Sequence, residues 1–215
     1  MIRAETSSML AFTIEKEFEK QGYQLIAGID EVGRGCLAGP VMAAAVIMPY
    51  RSPADWFSQV NDSKLLTPLK RESLYHLIAE SALAIGIGTM SHDVIDSHGI
   101  AKATRLAMKQ AVNQLSPQPQ SLLIDYIRLP EVILPQKSIT KGDRKCFSIA
   151  CASIIAKVTR DRLMRELDET YPGYALAQNK GYATPEHLAC LSRLGTCSIH
   201  RKTFSPVKER LYQLL

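Results

Sequence analysis

The chain predicts an α/β fold, and three observations carry that prediction. Two apolar runs, Leu25 to Ile29 and Val41 to Met48, have the length of buried strands and lie close enough in sequence to pair antiparallel. A third run, Ser121 to Asp125, follows a strongly helical stretch, as strands do in α/β chains. The longest helical segment, Ser148 to Tyr171, offers Ile149, Ala152, Ile155, Ala156 and Leu163 for packing, and its small residues suit close approach to a sheet.

In chain order, residues 1–21 predict an amphipathic helical extension, with Leu10, Phe12, Ile14 and Phe18 set among acids. The strand Leu25 to Ile29 ends on adjacent carboxylates, Asp30 and Glu31, and Gly33-Arg34-Gly35 and Gly39-Pro40 follow. After the second strand, Arg51 to Val60 is loop-like, with Trp56 and Phe57 plugging an edge of the core. Thr67-Pro68 is an N-cap followed by proline at the first helical position, predicting a helix to about Ser81. Leu83 to Thr89 alternates as a third strand, and Ser91 and Ser97 are helix-start positions. Ile100 to Leu115 predicts a helix with Ile100, Ala103, Ala107, Ala111 and Leu115 on its core face and Lys102, Arg105 and Lys109 towards solvent. Beyond Asp125 the chain has little pattern at Ile133-Leu134 and Ser138 to Thr140, and Lys141-Gly142-Asp143 places another acid in a turn. Pro172-Gly173 stops the long helix, and Thr184-Pro185 and Ser205-Pro206 open two more.

Composition bounds the class. At 215 residues the chain can bury one sizeable core, and 46% hydrophobic with 22% charged residues is ordinary for a folded enzyme. A net charge of +5 is modestly basic, short of what would advertise nucleic acid by itself. The longest apolar run is too short to span a bilayer, no signal-peptide pattern is visible, and five cysteines without C-x-x-C spacing suit a reducing cytoplasm.

Two adjacent carboxylates at a buried strand end resist joint ionisation and call for a cation. Asp30, Glu31, Asp125 and Asp143 supply oxygen only, which suits Mg²⁺ or Mn²⁺ better than zinc. Asp30 and Asp125 would meet in a sheet whose first and fourth strands are neighbours. Gly33 and Gly35 let a ligand approach the main chain, and Arg34, Lys64, Lys141, Arg144, Lys145 and Lys180 are available to hold phosphates. Gly33-Arg34-Gly35-Cys36-Leu37-Ala38 also satisfies a dinucleotide fingerprint, but Gly39-Pro40 and a strand follow where that motif needs a helix. On these grounds alone, a two-ion nuclease and a structural ion site both stand.

Several stretches together resemble type 2 ribonuclease H (ribonuclease HII). They are Gly28-Ile29-Asp30-Glu31-Val32-Gly33-Arg34-Gly35, Asp62-Ser63-Lys64, Ile124-Asp125, Lys141-Gly142-Asp143, Ser148 through Asp161, and Lys180-Gly181-Tyr182 through His200-Arg201. The resemblance implies a ribonuclease H-like α/β fold, a mixed five-stranded sheet flanked by helices, with a catalytic domain over 1–172 and a C-terminal helical region over 173–215. It implies a monomer that cuts RNA in RNA–DNA hybrids and at single ribonucleotides in duplex DNA. Cleavage would fall 5′ to the ribonucleotide and leave a 3′-hydroxyl and a 5′-phosphate, by a two-metal mechanism. Asp30, Glu31, Asp125 and Asp143 would be the catalytic and metal-binding acids. Gly33, Arg34 and Gly35 would read the ribose 2′-OH, Tyr182 would stack at the RNA–DNA junction, and Lys64 would lie near the substrate phosphates.

One place departs from the family pattern: Tyr126 and Ile127 stand where a glycine and a polar residue are usual, and the expectation is that they pack against the long helix. The H-x₂-C-x₆-C-x₂-H spacing of His187, Cys190, Cys197 and His200 matches a zinc set, but both histidines occur in the family without a metal, so they read as structural. Asp161 and Arg165 predict a surface ion pair, and Cys151 a core position.

Overall fold

The computed structural model describes residues 12–49, 51 and 54–212. Five strands, β1 (Ile26–Val32), β2 (Val41–Ile47), β3 (Ala84–Met90), β4 (Ser121–Asp125) and β5 (Gln136–Ile139), form one sheet in the order β3-β2-β1-β4-β5. The β1–β2 and β2–β3 pairs are antiparallel, and β4 runs parallel to both β1 and β5, so the sheet is mixed. The helices are α1 (Thr13–Lys20), α2 (Pro68–Ser81), α3 (His92–His98), α4 (Ile100–Asn113), α5 (Phe147–Thr170), α6 (Leu176–Asn179), α7 (Pro185–Leu194) and α8 (Val207–Tyr212).

The central strands read as continuous apolar runs because both sheet faces are covered. On one face α5 packs Ile149, Ala152 and Ile155 with Val46 and Leu123; on the other, Ala107, Met108 and Ala111 of α4 meet Ala27, Ile29 and Ala45. Gly28 is what lets α5 sit so close: a Cβ there would lie 2.1 Å from the carbonyl carbon of Ser148. Its N-terminus is capped from an unexpected direction. Glu15 of α1, fully buried, accepts from the backbone N–H of Ser148 at 2.9 Å and from its hydroxyl at 2.6 Å. A carboxylate there complements the helix dipole, so the extension that carries no visible chemistry in sequence anchors the longest helix.

Several expectations need correction. Asp30 and Glu31 lie inside β1, opposite Ala44 and Ala43, because the strand continues to Val32. β5 is a strand the sequence hides: it is a four-residue edge with two exposed positions, leaving almost no apolar period. Ser91 does cap α3, but Ser97 lies within it, and α4 starts instead after Gly99, whose φ of 78° breaks the chain direction. Asp161 pairs at 2.7 Å with Lys157 rather than Arg165. Phe57 is buried against Phe12 and Phe147 as expected of the core plug, with Trp56 beside it; Leu10 lies outside the described residues. Cys151 is fully buried.

The chain after α5 folds back over the loop that follows β1. Ala38 packs with Met164, Tyr174, Leu176, Cys190 and Ile199, and Leu37 packs with Leu191 and Val207. Among the described residues no helix is long and apolar enough to cross a membrane.

Candidate active site

Strand pairing builds the acidic centre. β1 and β4 are parallel neighbours, so their carboxyl ends coincide, and Asp30, Glu31 and Asp125 come to one end of the sheet. Asp143 joins them from the turn after β5, tied by a bond from the Gly142 N–H to Asp125 Oδ1 at 2.7 Å. Successive residues of a strand face opposite ways. Asp30 therefore shares the α5 face with Gly28, while Glu31 shares the face of Ala27 and Ile29 at the rim.

Two clefts meet at these acids. One of about 390 Å³ is lined by Glu31, Arg34, Asp62, Lys64, Asp125, Tyr126, Thr140, Lys141, Asp143 and Arg144. The other, about 410 Å³, is lined by Asp30, Glu31, Val32, Ser63, Lys64, Arg71, Ser153, Lys157 and Tyr182. Of the basic residues expected here, Lys145 and Lys180 line neither, and Arg71 and Lys157 are present instead.

The electrostatics are those of a site short of positive charge. Burial holds the Asp30 carboxyl well above its usual value, and the charges of Glu31 and Asp125 push the same way. Burial likewise raises Glu31, against the pull of Arg34 and with a further push from Asp125. Asp143 is raised by burial, then by Asp62 and Asp125, with Lys64 opposing. Asp125 thus presses on all three of the others. The side chains park on local partners: Asp30 Oδ1 accepts the Glu31 N–H at 2.7 Å, Glu31 pairs with Arg34 at 3.2 Å, and Asp143 lies 3.7 Å from Lys64 Nζ. Glu31 Oε2 is buried with no partner.

Among the described residues no three Asp, Glu, His or Cys side chains close into a ready ion cage. Arg34 and Lys64 each pair with one of the acids. An oxygen-only donor set, an orphaned carboxylate oxygen and three raised carboxyls fit a divalent hard cation.

The glycine loop after β1 is held by two arginines with no exposed surface, which the sequence shows only as residue types. Arg160 of α5 donates to the carbonyls of Pro40, Lys180 and Ala38 at 3.0, 2.8 and 3.2 Å. Arg201 donates to those of Gly33 at 2.6 Å, Arg34 at 2.8 Å and Gly39 at 3.0 Å. Burial lowers Arg201 to about 10, so it remains a cation at neutral pH. In a trans peptide the N–H points opposite to the C=O. With the Gly33 and Arg34 carbonyls turned onto Arg201, the N–H groups of Arg34 and Gly35 face away from it. The two glycines differ: Gly33 has φ of 87° and a Cβ there would lie 2.3 Å from Arg160 Nε, whereas a Cβ on exposed Gly35 meets nothing within 4 Å.

Tyr182 is brought to this loop from far along the chain. It bridges Cys36, and the Leu37 N–H donates to the Gly181 carbonyl at 2.7 Å. The residue is 38% exposed and lines the second cleft, its ring 6.0 Å from the Lys157 ammonium, and burial beside the Cys36 thiol pushes its hydroxyl up to about 12. Lys64 reaches Asp143 from a side chain that is 76% exposed. Asp62, for which sequence reading found no role, is buried and ion-paired to Arg144 at 2.7 Å. Burial would raise that carboxyl, but the Lys64 N–H and Arg144 bring it below its ordinary value.

Tyr182 is also buttressed from behind. The Cys197 N–H donates to His200 Nδ1 at 3.0 Å, His200 and His187 face each other through Nε2 at 3.2 Å, and His187 Nδ1 lies 2.9 Å from the Tyr182 carbonyl. This network assigns the proton to Nε2 of His200 and Nδ1 of His187. Cys190 sits apart from it in the apolar cluster with Ala38 and Tyr174. Burial and the neighbouring His187 depress His200 to about 4. The unfolded imidazole titrates near 6.5, so between those values only the unfolded chain binds the proton. Stability from this residue is complete above about pH 6.5 and is lost as pH falls towards 4. We therefore expect the melting temperature of wild type to fall more steeply over that window than that of His200→Gln, which does not titrate. Parallel slopes would mean that His200 takes up its proton in the folded state.

Comparison with known proteins places the chain in a family. A family model described as ribonuclease HII matches residues 27–207. A ribonuclease HII of Dehalococcoides mccartyi is 60% identical over 194 residues, covering 90% of this chain and 92% of its own. One from Listeria monocytogenes is 56% identical over 197 residues, covering 91% of this chain and 73% of its own. The crystal structure of ribonuclease H2 from Pyrococcus horikoshii superposes with a TM-score of 0.74 at 24% identity, covering 88% of this chain and 98% of that one, and shares the fold. The chain belongs to the ribonuclease HII family, and it is a ribonuclease H-type endonuclease, a metal-dependent hydrolase.

Proposed function

We propose that this protein cuts RNA in RNA–DNA hybrids and at single ribonucleotides embedded in duplex DNA, on the 5′ side of the ribonucleotide, leaving a 3′-hydroxyl and a 5′-phosphate. The observation that carries the reading is the juxtaposition of four mutually repelling carboxyls with a glycine loop whose backbone is fixed by Arg201. Asp30, Glu31, Asp125 and Asp143 would hold two Mg²⁺ or Mn²⁺ ions, which when bound clamp the attacking and leaving oxygens of a phosphodiester in an in-line displacement. Arg34 and Lys64, released from Glu31 and Asp143, are placed to take phosphate oxygens. The N–H groups of Arg34 and Gly35 offer donors to a ribose 2′-OH, the group that separates RNA from DNA. Tyr182 offers a ring face to the sugar at the junction, so the helical region over 173–215 serves the catalytic domain over 1–172. Every group named comes from one chain, so a monomer suffices, and its five free thiols suit the cytoplasm.

The test is a labelled duplex carrying one ribonucleotide beside an all-DNA control, each with Mg²⁺ or EDTA. A single Mg²⁺-dependent cut in the first duplex, with a 3′-hydroxyl end, is expected. Equal cutting of both would make the protein a general DNA nuclease, and tight binding without cutting would make it a hybrid-binding module.

The two glycines give a sharper test of the loop. Gly33→Ala should lose about 1–3 kcal/mol of stability, because its Cβ overpacks Arg160. Gly35→Ala should change stability by no more than about 0.5 kcal/mol yet cut the ribonucleotide duplex about 10- to 100-fold more slowly, since the added methyl displaces the ribose. Normal cleavage by a folded Gly35→Ala protein would detach the loop from 2′-OH reading.

A further inference from the structure

Tyr126 lines the first cleft, and neither ion binding nor loop support explains it. It follows Asp125 at the carboxyl end of β4 with φ of 58°, a left-handed backbone in which a bulky aromatic residue is an outlier. Two bonds hold it there: its own N–H donates to the Ile139 carbonyl at 3.2 Å, and the Ile127 N–H donates to the Asp125 carbonyl at 2.6 Å, closing a tight three-residue turn around it. The expected packing against the long helix does not occur. Ile127 packs instead with the cluster on the α4 face, and Tyr126 is 66% exposed on the wall shared with Glu31, Asp125 and Asp143. Glycine would fit this backbone without strain. A strained aromatic residue that gains no core burial, beside reacting groups, is a sign of function.

Its position suggests which function. Glu31 and Lys64 line both clefts, Tyr126 stands in one and Tyr182 in the other, so the two rings bracket the acids. We propose that Tyr126 is a substrate-binding residue, a second aromatic platform on which the sugar or base of a nucleotide flanking the scissile phosphate packs. The inference rests on the proposed cleavage of ribonucleotide-containing duplexes. Every base presents a π-face, so such a platform grips the strand without choosing sequence, and covering the exposed ring recovers its hydrophobic area.

Single-turnover cleavage of a one-ribonucleotide duplex, measured over a range of enzyme concentration for wild type, Tyr126→Gly and Tyr126→Phe, tests this alongside melting. Tyr126→Gly should melt at or above the wild-type temperature, because the strain is relieved. It should nevertheless need about 5- to 150-fold more enzyme for half-maximal rate, the loss falling on half-saturation rather than on the saturating rate. Tyr126→Phe, which keeps the ring, should restore tight half-saturation. An unchanged half-saturation in Tyr126→Gly overturns the proposal, as does a Phe variant as weak as the Gly variant, or a loss confined to the saturating rate. A wild-type enzyme that leaves the duplex uncut overturns the parent reading instead, and is seen before any variant is compared.

Discussion

Asp125→Asn is expected to slow cleavage at saturating substrate by at least about 100-fold while leaving the fold intact, the scale on which removing a preorganised charge from a reaction centre acts. The amide keeps an oxygen to accept the Gly142 N–H, so the turn that carries Asp143 stays in place. What disappears is the charge that pushes up Asp30, Glu31 and Asp143 together. In EDTA the variant should therefore melt at the same temperature as wild type or higher, since one repulsive charge has gone from a buried or half-buried group of four. Loss of activity with retained or improved stability is the signature of a residue placed for chemistry at the expense of folding. Wild-type turnover by the purified variant would remove Asp125 from the reaction.

Tyr182→Ala is the second large effect. Removing the ring should cost about 1–3 kcal/mol of stacking, or about 5- to 150-fold in cleavage of a single-ribonucleotide duplex, with little change in divalent-ion affinity. The contacts that place the residue are mostly backbone, through the Cys36 bridge, the Gly181 carbonyl and His187, and they survive the substitution. Tyr182→Phe apportions the loss between ring and hydroxyl. If the residue only packs the C-terminal helices onto the main body, Tyr182→Ala should instead lower the melting temperature markedly, while the folded fraction cuts at the normal rate.

How much of this was legible in the sequence varies by element. β1, β2, α4 and α5 are apolar at the period that their burial requires, and Thr-Pro punctuation sets the starts of α2 and α7. Asp30, Glu31 and Asp125 stood out because carboxylates at a buried strand end are costly enough to need a reason, whereas Asp143, in a turn, joined them through the family resemblance. β5 was not legible, since an edge strand of four residues with exposed Lys137 and Ser138 buries only Ile139, too little to show a period. Arg160, Arg201 and Glu15 were not legible either. An arginine or glutamate in a sequence reads as solvated, and only the fold brings Arg201 to the Gly33 and Arg34 carbonyls or Glu15 to the start of α5. Tyr126 shows the same limit from the other side: an aromatic residue beside a strand reads as core, and its positive φ appears only in three dimensions.

As proposed here, the four acids form a divalent-ion site. A melting series in increasing Mg²⁺ tests it without reference to activity. Wild type should gain stability with ion concentration, by about 2.7 kcal/mol at a hundred times the dissociation constant, because the ion binds the folded chain alone. Asp125→Asn should need far more Mg²⁺ for the same gain. An equal gain in both proteins, or none in wild type under conditions where it cleaves, would contradict the account.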